Sequence, residues 1–163
     1  QHFCEWRGGT LPSEAQWERG ARSGTDTPWW SGAERENLRG KVNLADQTAK
    51  RAGAPWNTDE WPDLEDGGVV HTEVSRYVAN AFGLHEVAGN VWEWCLDGYD
   101  SGFYGRSPTQ DPVSPPGGSA SRVLRGGSFA FTASSARSSY RNFDDPESRD
   151  DDLGLRPARG ITP

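Results

Sequence analysis

Residues 84–97 read Leu-His-Glu-Val-Ala-Gly-Asn-Val-Trp-Glu-Trp-Cys-Leu-Asp, and no other stretch constrains the fold as much. Two tryptophans flank one glutamate, and a Gly-Asn pair just upstream marks a turn. Such a segment can fold its backbone and acids around a hard cation while the indoles exclude water. Calcium takes roughly six to eight oxygens from carboxylates, amide side chains and backbone carbonyls. Here Glu86 and Glu93 can supply carboxylates, and Gly89 and Val91 can turn carbonyls inward.

Composition sets the scale of the fold around this segment. A chain of 163 residues is long enough for one domain with a real core. Only 33% of it is hydrophobic, while Gly contributes 20 residues and Pro 11, which predicts a loop-rich fold with little regular structure. All 8 tryptophans precede residue 95, so the core is expected in the first part of the chain. A net charge of −7 argues against nucleic acid or an anionic membrane surface as partner. No run is long enough for a transmembrane helix, and no signal-peptide pattern opens the chain. The 2 cysteines, Cys4 and Cys95, sit in stretches that read as buried; free thiols of this kind favour a cytoplasmic location.

Along the chain, Ser13–Arg22 reads as a helix started by Pro12 and Ser13 and followed by Gly24, with Ala15, Trp17 and Ala21 inward. Residues 23–79 carry no sustained period and read as long ordered loops with short strands, and such loops need a cause such as bound cations to stay ordered. Val91–Leu96 reads as a strand. Arg122–Leu124 and Gly127–Phe129 read as one strand interrupted at the Gly-Gly pair, and Ala136–Asn142 as the next. Asp144–Pro146 reads as a turn, Leu153–Arg156 as a last short strand, and Ser114–Ser121 as a low-complexity surface loop.

Several of these motifs, in this order, resemble one family. They are Thr10-Leu-Pro-Ser-Glu-Ala-Gln-Trp-Glu-Arg-Gly-Ala-Arg22, Asn80-Ala-Phe-Gly-Leu84, the segment 84–97, Arg122-Val-Leu-Arg-Gly-Gly-Ser-Phe129 and Asp150-Asp-Asp-Leu-Gly-Leu-Arg-Pro157. The chain is similar to the formylglycine-generating-enzyme-like (sulfatase-modifying-factor, FGE-sulfatase) domain, a branch of the C-type lectin fold. The resemblance implies an α+β, loop-rich fold. Phe3-Cys-Glu-Trp6 looks like the end of the family's second helix. Residues 1–163 would therefore be the C-terminal part of a single such domain, lacking the usual N-terminal strand and helix, with the N-terminal remainder of the same protein as a partner.

The resemblance also implies two structural calcium sites. Glu86, Gly89, Val91 and Glu93 match one, although the family often has Asn or Asp where this chain has Glu86. Asn43 and Asp66 through their side chains, with Leu44 and Gly68 through their carbonyls, match the other. Those four lie in Lys41-Val-Asn-Leu44 and Glu65-Asp-Gly-Gly68. Read without the family, Asp66-Gly67 is an ordinary turn pair.

The resemblance implies, for the formylglycine-generating members, copper held by two cysteines that follow the Gly-Gly-Ser motif, and for other members iron held by three histidines. Here Phe129–Arg137 contains no cysteine, and hydroxyls do not replace thiolates for a soft ion, so no copper is expected. His2, His71 and His85 have no ligand-like spacing for iron, and the serines of the tail lack a recognisable histidine partner. In the tail, Phe131, Arg137, Arg141 and Phe143 are the candidates for a ligand-facing surface, being of the types that dominate binding hot spots. The acids Asp144, Asp145 and Asp150–Asp152 are expected to pair with Arg137, Arg141, Arg149 and Arg156. The first reading of function is a non-catalytic module that binds a protein or peptide, of the kind appended to bacterial kinases and proteases. The others are a divergent formylglycine-generating-type oxidase and a retroelement-diversified lectin-like receptor, whose variable tails this tail resembles.

Overall fold

The computed structural model describes residues 1–116 and 121–160. Three short helices precede a four-stranded sheet: α1 (His2–Trp6), α2 (Glu14–Arg22), α3 (Gln47–Arg51), then β1 (Trp92–Gly98), β2 (Arg122–Arg125), β3 (Asn142–Asp144) and β4 (Leu153–Gly154). The sheet order is β3-β2-β1-β4. β1 and β2 run antiparallel with Glu93 opposite Arg125 and Trp94 opposite Leu124, and the register shifts before Gly98 meets Arg122. β3 continues antiparallel from β2, whereas β4 lies parallel to β1 with Glu93 opposite Gly154. Among the described strands only β1 is long, and most of what lies outside these elements is loop; residues 23–79 hold α3 and a 3₁₀ turn at Arg35–Leu38 in place of the expected short strands.

α2 starts where the sequence places it, because Ser13 forms a capping box. Its Oγ accepts from the Gln16 amide at 3.2 Å, and the Gln16 side chain accepts from the Ser13 amide at 3.0 Å. The helix ends at Ser23, in the left-handed region at φ 47°. Two of its last carbonyls, Gly20 and Ala21, accept from Nδ2 of Asn80 at 2.8 and 3.2 Å. Trp17 and Ala21 are buried as expected, but Ala15 is only half-buried. Glu14 takes the inner position instead, because cations meet it there. Arg141 binds both its oxygens, at 2.6 and 2.7 Å, and Arg125 approaches at 3.3 Å.

Two apolar clusters form the core. One joins Trp17, Ala21, Val87, Cys95 and Val123; the other joins Leu38, Val42, Leu44, Trp61, Leu64, Ala88, Ala133 and Ala136. The core is thus not confined to the first part of the chain, and Trp6 is 74% exposed. Two strand expectations also change. Gly126 and Gly127 adopt φ 98° and 77°, which ends β2 at Arg125. A Cβ on Gly127 would stand 3.1 Å from Ala136, so the backbone turns there in close contact and residues 127–129 form no strand. Ala133–Ala136 is a 3₁₀ turn, and the expected strand 136–142 begins only at Asn142. Of the low-complexity loop 114–121, residues 117–120 lie outside the described residues.

Candidate functional site

Asn43, Leu44, Asp66 and Gly68 come together although 22 positions separate Leu44 from Asp66. Oδ2 of Asp66 accepts from the Leu44 amide and Oδ1 from the Gly68 amide, both at 2.7 Å. Nδ2 of Asn43 donates to the Val70 carbonyl at 2.9 Å and to Oδ1 of Asn90 at 3.0 Å. That Asn90 oxygen also accepts from the Thr72 amide at 2.8 Å, which fixes both amide orientations. Oδ1 of Asn43 is therefore turned toward Gly68, where a Cβ would lie only 2.6 Å away. It is buried and has no hydrogen-bond donor. An unmet buried acceptor costs about 1–3 kcal/mol. Burial also pushes the Asp66 carboxyl up to about 7, against the opposing pull of the Leu44 and Gly68 amides, and the nearby Asp46 carboxylate raises it further. An orphaned oxygen beside a desolvated carboxylate is the donor chemistry of a hard cation, so this set fits calcium.

The second expected set does not fit in the same way. Oε1 of Glu93 accepts from Nη2 of Arg156 at 2.6 Å, and Oε2 accepts from Nε of Arg156 at 2.8 Å and from the Trp17 indole at 2.7 Å. The carboxylate of Glu86 accepts from the backbone amides of Ser75 and Tyr77 at 2.9 and 3.1 Å. Gly89 instead bridges to Asn43, so close that a Cβ would meet the Asn43 carbonyl at 2.2 Å. Val91 lies with its side chain against Gly154. Sequence reasoning missed Asn90, whose amide donates to the Asn43 carbonyl at 2.8 Å and whose side chain orients the Asn43 amide. The available signal was the Gly-Asn pair itself: Gly89 and Asn90 both take positive φ, 83° and 69°.

The tail divides. Phe131 is 40% exposed and meets Trp92 edge-on at 5.3 Å; Phe143 is 48% exposed on β3 and stacks on Tyr99 at 4.2 Å. Arg137 is exposed, with its Nε donating to the Ser134 carbonyl at 2.9 Å. Arg141 does not belong with them. Besides its two bonds to Glu14 it lies over the rings of Tyr99 and Tyr104 at 5.0 and 5.1 Å, so its role is internal. The expected lattice within the tail is corrected too: Arg141 pairs with Glu14 and Arg156 with Glu93, while Asp152 accepts from Oγ of Ser128 at 2.7 Å.

After Gly126-Gly127-Ser128 the chain places a buried Phe129, with the Trp56 ring edge-on at 5.0 Å, and then the 3₁₀ turn. Its thiols lie elsewhere, Cys4 in α1 and Cys95 in β1, both buried. Burial pushes the Cys95 thiol well above its ordinary value, the reverse of what a thiolate ligand needs. The residues after Ser128 do not fit a copper ion.

Comparison with known proteins decides the relationship. The profile of the sulfatase-modifying factor enzyme 1-like domain matches residues 1–161. The chain belongs to this family. It is 36% identical over 166 residues to a formylglycine-generating enzyme of Streptomyces coelicolor, covering 96% of this chain and 48% of that one. It is 33% identical over 162 residues to the serine/threonine-protein kinase pkn1 of Chlamydia pneumoniae, covering 98% of this chain and 22% of the kinase. Among solved structures, Treponema denticola variable protein 1 superposes with a TM-score of 0.72 at 32% identity, over 90% of this chain and 45% of that one. This sulfatase-modifying-factor domain therefore has the α+β fold of formylglycine-generating-enzyme-like proteins, and spans about half the length of the Streptomyces relative. No helix among its described residues is long and apolar enough to cross a membrane.

Proposed function

We propose that the chain is a non-catalytic recognition module of its family, stiffened by calcium and presenting Phe131, Arg137 and Phe143 to a protein or peptide. The observation that carries this reading is the thiol-free segment after Ser128, where Phe129 and the 3₁₀ turn of Ala133–Ala136 occupy the chain. The likeness to a kinase of which this domain covers 22% supports a domain carried beside other activities. In this reading Asn43 and Asp66 hold the ion by their side chains and Leu44 and Gly68 by their carbonyls. The ion supplies positive charge to a desolvated carboxylate and joins the loops around residues 43 and 66; it takes no part in chemistry. The N-terminal remainder of the protein is the other proposed partner. Its support is the exposed Phe3 and Trp6 of α1, and a groove of ≈ 560 Å³ lined in part by Pro12, Trp17, Leu84 and Val87.

The test is a copper(I) titration of the protein against a competing chelator. The expected result is no stoichiometric site of thiolate strength. A tight copper(I) site lost on Cys4→Ser or Cys95→Ser refutes the reading. A second reading, a receptor with a diversified tail, is favoured by the likeness to the Treponema variable protein. A reverse-transcriptase gene and a template repeat beside the coding gene would establish it, and their absence would remove it.

A further inference from the structure

We propose that the guanidinium of Arg156 holds, at the Glu86–Glu93 segment, the place of a second divalent cation, so that this chain binds one calcium ion and not two. The inference rests on the calcium reading of Asn43 and Asp66. A hard cation bound by this segment needs the carboxylate of Glu93 as an anionic ligand. That carboxylate is buried on β1 and already meets one planar fork, with Nη2 of Arg156 at 2.6 Å from Oε1 and Nε at 2.8 Å from Oε2. The Trp17 indole adds a third donor at 2.7 Å. The same Nη2 reaches back to the His85 carbonyl at 2.8 Å. One guanidinium thus gathers a carboxylate from one end of the segment and a backbone carbonyl from the other. Those are the charge and the oxygens a metal would take.

The arrangement is also hard to displace. A bidentate arginine-carboxylate pair is among the stronger charge-assisted contacts, and its geometry is fixed by the fork. Arg156 stands on a stretch tied down two residues later, where Ala158 and Thr10 exchange backbone hydrogen bonds of 2.8 Å. A calcium ion entering here would break three hydrogen bonds to Glu93 and sit beside a positive charge in a low-dielectric site. Glu86 does not rescue the site. Its backbone takes φ 50°, its two oxygens accept from the Ser75 and Tyr77 amides, and with Glu93 paired to Arg156 it is the one acid charge the segment has left. At Asn43 and Asp66 the donors differ: Asp66 accepts from neutral backbone amides and not from a guanidinium fork, and Oδ1 of Asn43 has no donor.

The experiment counts calcium ions on the metal-stripped protein by native mass spectrometry and measures affinity by calorimetry. The expected result is one ion, weakened about tenfold or more by Asp66→Asn through loss of a charged ligand and unchanged by Glu86→Gln. Arg156→Met, checked for folding by near-UV circular dichroism, is expected to gain a second ion. Two ions on the unaltered protein overturn the inference and leave the first site's reading standing; one ion that Glu86→Gln abolishes and Asp66→Asn leaves overturns both. No ion on the unaltered protein refutes the Asn43–Asp66 reading. Arg156→Met then decides the inference alone: an ion gained upholds it, and none gained overturns it.

Discussion

Raising the pH without calcium should destabilise this domain, and calcium should counter that loss. Burial pushes the Asp66 carboxyl from 3.8 up to about 7 in the folded chain. The unfolded chain has released that proton above roughly pH 4. Between about pH 4 and 7 the folded state therefore binds more protons, and stability falls as the pH rises. The full gap is worth about 4 kcal/mol at ~1.36 kcal/mol per unit, an upper bound because Asp66 keeps some contact with water. Burial raises the carboxyls of Asp97 and Asp152 too, which steepens the slope in the same direction. Calcium acts on Asp66 alone: a bound cation favours the ionised carboxylate and brings its pKa down. At one hundred times its Kd it adds about 2.7 kcal/mol by mass action. Urea unfolding followed by tryptophan fluorescence, at about pH 4.5, 6 and 8 with and without calcium, reads both effects. The calcium-free protein should lose a few kcal/mol across this range, and the increment due to calcium should grow with pH. A calcium increment equal at both ends, or a calcium-free protein that gains stability as pH rises, refutes the reasoning.

Three further outcomes are expected. Phe129→Ala should cost about 3–5 kcal/mol in urea unfolding, because the ring is buried with Trp56 against its edge; a loss under 1 kcal/mol would contradict its core role. Glu14→Gln should cost about 3–5 kcal/mol by leaving Arg125, fully buried, and Arg141 without their shared carboxylate; a neutral substitution would show the cluster to be dispensable. Phe131→Ala and Phe143→Ala should change Tm less than Phe129→Ala, since both side chains lie at the surface, 40% and 48% exposed, yet weaken binding of a peptide partner selected by display. Unchanged binding by both variants would place the interface elsewhere.

How much of this was legible in the sequence depends on how local each cause is. The start of α2 is local: Ser13 and Gln16 cap it three residues apart, and the pattern shows. The burial of Glu14 is not local. Its principal partner, Arg141, lies 127 residues away, and without that partner a glutamate reads as surface. The segment 84–97 was rightly the anchor of the fold, and its turn residues Gly89 and Asn90 join it to Asn43. Its acid has a partner the sequence did not show: Arg156 reaches Glu93 across 63 positions, and no spacing rule exposes such a pair. The strands β3 and β4 have 3 and 2 residues, too few for any period to show. The Asn43–Asp66 set became visible only through the family resemblance, since Asp-Gly alone reads as a turn.

The domain keeps its family's fold, and the proposed reading is that it does without the thiol chemistry after Gly126-Gly127-Ser128. The most direct measurement incubates the protein with copper(I), oxygen and a Cys-X-Pro-X-Arg peptide and follows the peptide by mass spectrometry. The account predicts no aldehyde product above a protein-free control. Aldehyde formed in proportion to protein, and abolished by Cys4→Ser or Cys95→Ser, would contradict it.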